Sequence, residues 1–173
     1  MRLVANEVAD EDVLELTLAP DWAAVRAVGD RCRSALAGAG LERDEAYALA
    51  MVAQELVENA VKYGAAGPGE VVRLRLRVDS DAVTVEVVNH LGVDDAHLRT
   101  FERTVEWIRG FQDPFEAYVE RLKEISATPY ADGRSGLGLA RIAYEGRCAL
   151  DFYAGPGDTL AVSAIHEREG GTP

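Results

Sequence analysis

Two short stretches of this chain carry residue types that do chemistry rather than packing. In Gln54–Gly64, QELVENAVKYG, a carboxylate (Glu55) and an amide (Asn59) stand one helical turn apart, and a lysine (Lys62) follows about a turn later. At about 100° per residue the three share one face, nearly opposite the apolar stripe Ala46, Leu49, Ala53, Leu56, Val57 and Ala60. A carboxylate can accept a proton, an amide oxygen can ligate a hard cation, and a lysine neutralises phosphate. Magnesium takes few protein ligands and completes its shell with phosphates and water, so the set suits a magnesium nucleotide. Glu, Asn and Lys are also what an ordinary solvated helix face carries, and this helix alone does not decide between the two.

The second stretch is Ser135–Ile142, SGLGLARI, in which Gly136, Leu137 and Gly138 precede a short helix. Glycines there let backbone N–H groups approach an anion closely, and a helix N-terminus favours negative charge. The competing reading is a turn that only feeds the chain into a helix. No GxxxxGKS/T loop occurs, and no GxGxxG follows a first strand, so neither a Walker loop nor a Rossmann fingerprint is present.

The elements that must hold these stretches follow from periodicity. A hairpin is expected from Leu3–Val8 and Val13–Leu18 around an acidic turn. A helix spans Trp22–Leu36, with Asp21 as N-cap and Gly38 and Gly40 beyond its end. The motif helix runs Glu42–Tyr63 and stops at Gly64. Val72, Leu74, Leu76 and Val78 alternate with three arginines, and Val83, Val85 and Val87 continue that alternation after the turn Asp79–Asp81, which predicts two strands with one buried face. Two amphipathic helices, Asp94–Phe111 and Pro114–Ala127, are separated at Asp113 and Pro114, and Thr128–Ser135 reads as loop. A helix at Leu139–Glu145 and strands at Arg147–Tyr153 and Thr159–Ile165 close the domain.

Composition bounds what such a domain can do. The 173 residues, 48% hydrophobic, are enough to bury roughly 70% of the unfolded surface around one core. Eighteen Lys and Arg against 30 Asp and Glu give a formal charge of −12, which disfavours a broad grip on nucleic acid or on an anionic membrane. No run approaches the roughly 20 apolar residues of a membrane span, and Met1–Asp12 does not read as a signal peptide. Cys32 and Cys148 stand far apart and read as buried small hydrophobes, which fits a reducing cytoplasm. His90, His97 and His166 show no ligand spacing, so no protein-built zinc site is expected.

The order of these parts, a leading helix, ELVENAVKYG, a two-strand hairpin, an irregular insert, SGLGLARI and two closing strands, resembles the ATP-binding domain of the GHKL superfamily, which contains gyrase, histidine kinases and mismatch-repair ATPases. Within it the chain is most similar to bacterial anti-sigma-factor serine/threonine kinases, over nearly all of residues 13–165. The resemblance implies an α/β two-layer sandwich, a mixed and mostly antiparallel sheet covered on one face by helices, in a single domain 1–173 with a helical lid insert at about 93–135. That insert of roughly forty residues is too long for a simple connection. It reads as a packed helical subdomain rather than a membrane-binding segment, and as a place for partner recognition.

Carried over residue by residue, the resemblance makes Glu55 the general base, Asn59 the magnesium ligand and Lys62 a phosphate-side residue. Gly136, Leu137 and Gly138 become the loop that closes over the phosphates of ATP. Where the family carries DxGxG after the hairpin, this chain has VVNHLGVDD, with Asn89 at the Asp position and Gly92 behind it. An Asn accepts from the adenine amino group through its oxygen but without a charge. The implied function is an ATP-binding regulatory protein, a serine/threonine kinase of the partner-switching kind that acts on an antagonist protein and binds a regulatory partner such as a sigma factor. Homodimerisation is left open. The alternative is a non-catalytic module with a degenerate site that binds nucleotide or sequesters a protein. A histidine kinase catalytic domain working in trans ranks below both.

Overall fold

The structure, a computed structural model, describes residues 12–92, 95–127 and 136–168. The expected strand at 3–8 and the loop at 128–135 lie outside them. In chain order come β1 (Asp12–Leu18), α1 (Trp22–Gly38), α2 (Arg43–Tyr63), β2 (Val72–Val78) and β3 (Ala82–His90). Then follow α3 (Asp95–Arg109), α4 (Pro114–Ala127), α5 (Gly138–Tyr144), β4 (Cys148–Gly155) and β5 (Thr159–Glu167).

The five strands form one sheet in the order β1-β2-β3-β5-β4. Expected to be mixed and mostly antiparallel, the sheet is antiparallel at all four of its pairings. Alternation sets which face is buried: Leu74 pairs with Val87, Leu76 with Val85, Val87 with Val162, and Leu150 with Ala164, so all point into one core. The opposite face carries Arg73, Arg75 and Glu86, where Arg75 lies 3.6 Å from Glu86. The turn between β2 and β3 is held by Asp79, whose carboxylate accepts from the N–H groups of Asp81 (2.8 Å) and Ala82 (2.7 Å).

Helices cover the apolar face. Asp21 caps α1 by accepting from the Ala24 N–H at 2.8 Å, and Val25, Val28, Cys32 and Leu36 bury the face that meets α2. α2 buries the expected stripe and, beyond it, Ala50 and Val52, because it is packed against α1, α5, β2 and β3 together. The first helix of the insert belongs to this core: Val105 and Ile108 of α3 are buried, and Phe101 meets Phe152 of β4 edge-on at 5.4 Å.

α4 behaves otherwise. Asp113 caps it, accepting the Phe115 N–H at 2.9 Å, but of the apolar stripe read from the sequence Phe115 and Leu122 are exposed, and Ala117 is the buried residue. The small Ala117 lets α4 approach α5 closely, and Phe115 and Tyr118 stack around Tyr144 at 5.1 and 5.2 Å.

Candidate functional site

The polar face of α2 is not a solvated surface. Glu55, Glu58, Asn59, Lys62 and Tyr63 line a cavity of about 220 Å³. Val87 and Asn89 of β3, with Leu160 and Val162 of β5, form its floor. Leu98, Phe101 and Thr104 of α3 wall one side, and Arg121 of α4 with Gly136 and Gly138 closes another. A helix rises about 1.5 Å per residue, so the eight steps from Glu55 to Tyr63 span about 12 Å and give the cavity two ends.

At the Glu55 end the groups are charged. Arg141 of α5 donates from Nη1 to Glu55 Oε1 at 2.7 Å, and its Nε and Nη2 reach the two carboxylate oxygens of Glu145 at 3.2 and 3.3 Å. The Glu55 side chain is only 16% exposed. Burial pushes its pKa above the usual carboxylate range; Arg141 opposes the shift, Glu58 adds to it and Lys62 opposes it. The Arg141 guanidinium is held further toward its charged form, first by its hydrogen bond to Glu145.

The glycines match that end in shape. A Cβ on Gly138 would collide with Glu55 Oε2, and one on Gly136 with Nη2 of Arg121, which also donates from Nε to the Gly136 carbonyl at 3.3 Å. Gly136 has φ +57°, a left-handed conformation that glycine adopts without strain.

Half-way along, the Asn59 side-chain nitrogen is buried with no hydrogen-bond partner among the described residues. Such a group costs free energy unless a ligand or water meets it, and Asn59 is one of the residues that line this cavity. Lys62 pairs with Glu58 at 2.5 Å and sits 5.9 Å over the half-exposed ring of Trp22. At the far end Tyr63 meets His97 of α3 at 5.3 Å. Asn89 is 6% exposed and donates from Nδ2 to the His90 carbonyl at 2.9 Å. That bond leaves the amide oxygen as its acceptor group.

Six of the residues singled out from the sequence therefore border one space: Glu55, Asn59, Lys62, Asn89, Gly136 and Gly138. Gly92 and Leu137 do not line it. Gly92 lies just past the bridge that pairs Gly64 with Leu91, and Leu137 occupies the position before the first turn of α5. Sequence reasoning missed Arg121 and the α3 wall, which only the packing of the insert brings in. It also passed over Arg141, although that residue lies inside the SGLGLARI motif.

The donor set fits a nucleotide: an apolar end with one buried amide, an orphaned polar atom half-way, and glycines beside cationic groups at the other end. It fits magnesium as an ion that brings phosphate ligands with it. Among the described residues no group of three or more His, Cys, Asp or Glu gathers to hold a metal by protein alone.

The family model for the histidine kinase-like ATPase domain matches residues 18–143. No curated protein matches the chain. Among solved structures, a chain in the crystal structure of the SiaB-SiaC complex from Pseudomonas aeruginosa is similar, with a TM-score of 0.65 and 19% identity over 92% of each chain. At that identity the likeness speaks for the fold.

Proposed function

The chain belongs to the histidine kinase-like ATPase family, and we propose that it is an ATP-binding regulatory protein with serine/threonine kinase activity of the partner-switching kind. The observation that carries the reading is the convergence of Glu55, Asn59, Gly136 and Gly138 on one cavity, with the buried side-chain nitrogen of Asn59 lacking a hydrogen-bond partner among the described residues.

Bound ATP with Mg²⁺ supplies the transferable phosphoryl group and a cation that offsets its charge. Asn59 is the residue to hold that cation through its amide oxygen; Lys62 and the glycine loop balance the phosphates, and Asn89 meets the adenine edge. Glu55 accepts the proton of the incoming hydroxyl on Oε2, the oxygen Arg141 does not hold. Catalysis on this plan is positioning and electrostatics.

A protein partner, an antagonist protein or a sigma factor, is part of the proposal. The structurally similar chain was itself crystallised in a complex of two proteins, and a charge of −12 favours a basic partner surface over an acidic one. Among the described residues no helix is long and apolar enough to cross a membrane. The non-catalytic reading draws on Asn89 and Glu55, both of which already hold protein partners.

Calorimetry with ATP and Mg²⁺, followed by transfer of labelled phosphate to candidate partner proteins, tests the proposal. Binding and transfer in the parent, with transfer reduced at least 100-fold in Glu55→Gln, are the expected results. Binding without transfer leaves the sequestering module, and no binding overturns both nucleotide readings.

A further inference from the structure

Glu55 is held from two sides by α5. Gly138 opens that helix, and its missing side chain leaves room for Oε2. One turn further on, Arg141 takes Oε1. The guanidinium is not free to swing, because its other nitrogens fork onto Glu145 one turn later on the same helix. On α4, burial and then the nearby Glu145 carboxylate hold the Tyr118 hydroxyl in its neutral form. A hydrogen-bonded path thus runs from the carboxylate in the cavity through Arg141 to Glu145, on the side of α5 where Tyr118 of α4 lies.

The path has a chemical reason. A carboxylate 16% exposed loses most of its hydration and, with Glu58 nearby, holds its proton more tightly than an ordinary carboxyl, and the protonated form cannot act as a base. Among the described residues two cations stand close enough to oppose this, Arg141 and Lys62. Lys62 is engaged with Glu58 at 2.5 Å, so Arg141 supplies the direct counter-charge. Its planar fork also fixes orientation, which a lysine ammonium does not.

We propose that Arg141 is the positioning residue of this site: from α5, braced by Glu145, it fixes the place of the Glu55 carboxylate and supplies its counter-charge. The role of Glu55 as base rests on the reading given above; the electrostatic dependence on Arg141 does not.

The test joins two measurements on the full chain. The first is phosphate transfer by the parent, Arg141→Lys and Arg141→Gln. R141Q is expected to lower kcat about tenfold or more with the KM for ATP within twofold, and R141K to recover part of the loss. The second is an NMR titration of the ¹³C-labelled Glu55 carboxyl without nucleotide. Its midpoint is expected to move to higher pH in R141Q and to lie between parent and R141Q in R141K. The groups facing that carboxyl are Glu58 and Lys62 of α2 and Arg141 of α5. A KM that rises while kcat holds, or an unmoved midpoint, overturns the assignment. Lack of transfer by the parent overturns the kinase reading alone, and the titration still decides on Arg141. If R141Q does not fold, R141K decides alone: its midpoint is expected above that of the parent, and no shift overturns the proposal.

Discussion

Restoring the family's acid, Asn89→Asp, should harm this protein at neutral pH although it recreates the family pattern. Asn89 is 6% exposed, and its Nδ2 donates to the His90 carbonyl at 2.9 Å. That carbonyl also accepts the Ala65 N–H at 2.7 Å, which ties the end of β3 to the loop after α2. An aspartate has no donor to offer and would set a carboxylate oxygen against the carbonyl oxygen. The lost hydrogen bond costs about 1 kcal/mol and the unpaired buried charge about 1–3 kcal/mol more. For a chain of this length a total of about 3 kcal/mol lowers Tm by about 6–12 °C. The sign with pH follows from burial: the carboxyl in the folded state keeps its proton above the usual Asp value of about 3.9, so the folded form binds more protons than the unfolded one. The deficit should therefore be smallest in acid, where a protonated carboxyl donates to His90, and grow as pH rises. Urea melts of parent and variant at paired pH values from 4 to 8 read the difference directly. Equal stability at neutral pH, or a deficit that does not change with pH, would refute the reasoning.

Asn59→Leu removes the orphaned amide and should stabilise the nucleotide-free protein by about 1–2 kcal/mol while abolishing the thermal shift on adding ATP with Mg²⁺; a destabilised variant would show that the amide has a structural role. Removing Mg²⁺ with EDTA should weaken ATP binding at least tenfold by calorimetry, and equal affinities would sink the proposed role of Asn59. Arg109 of α3 covers the open edge of β4, donating to the Leu150 carbonyl at 2.5 Å and lying 3.2 Å from Asp151. Arg109→Ala should expose that edge and raise self-association in sedimentation, whereas an unchanged sedimentation profile would mean the edge is protected by other means. The thiols of Cys32 and Cys148 are pushed up to about 12 by burial, so neither should react with a disulfide reagent at pH 8 until urea unfolds the chain; a fast-reacting thiol in the native protein would contradict their burial.

What could be read without coordinates was whatever short-range periodicity fixes. Val72, Leu74 and Leu76 against Arg73 and Arg75 set the buried face of β2, and Gly64 marked the end of α2, because both signals lie within a few residues of the element they define. The motif helix was legible for the same reason, since Glu55 and Asn59 lie one turn apart. Arg141 was not, although it stands three residues past Gly138: its partner Glu55 is 86 positions away in sequence, and only the packing of α5 on α2 brings them together. α4 shows the opposite limit. Its apolar spacing is helical and the helix is there, but periodicity gives a face without saying what covers it, and Phe115 and Leu122 face outward.

The net charge gains a local meaning from these pairings. Among the described residues each cation at the cavity already has an acid: Lys62 has Glu58, Arg121 has Glu124 at 2.7 Å, and Arg141 has Glu55 and Glu145. A triphosphate entering alone would have to draw on cations already shared with acids, Lys62 among them, inside a chain of charge −12. A neutral amide as metal ligand answers this better than a cluster of acids would, since acids would deepen the negative field while Asn59 adds a donor atom and no charge. The acids beside the cations then have a second use, because they keep the cleft near neutral when it is empty and so limit the repulsion that loose basic side chains would otherwise build there. On this argument the cleft is arranged for an anion that arrives with its own cation, and the arginine spared from the phosphates is the one left to hold Glu55.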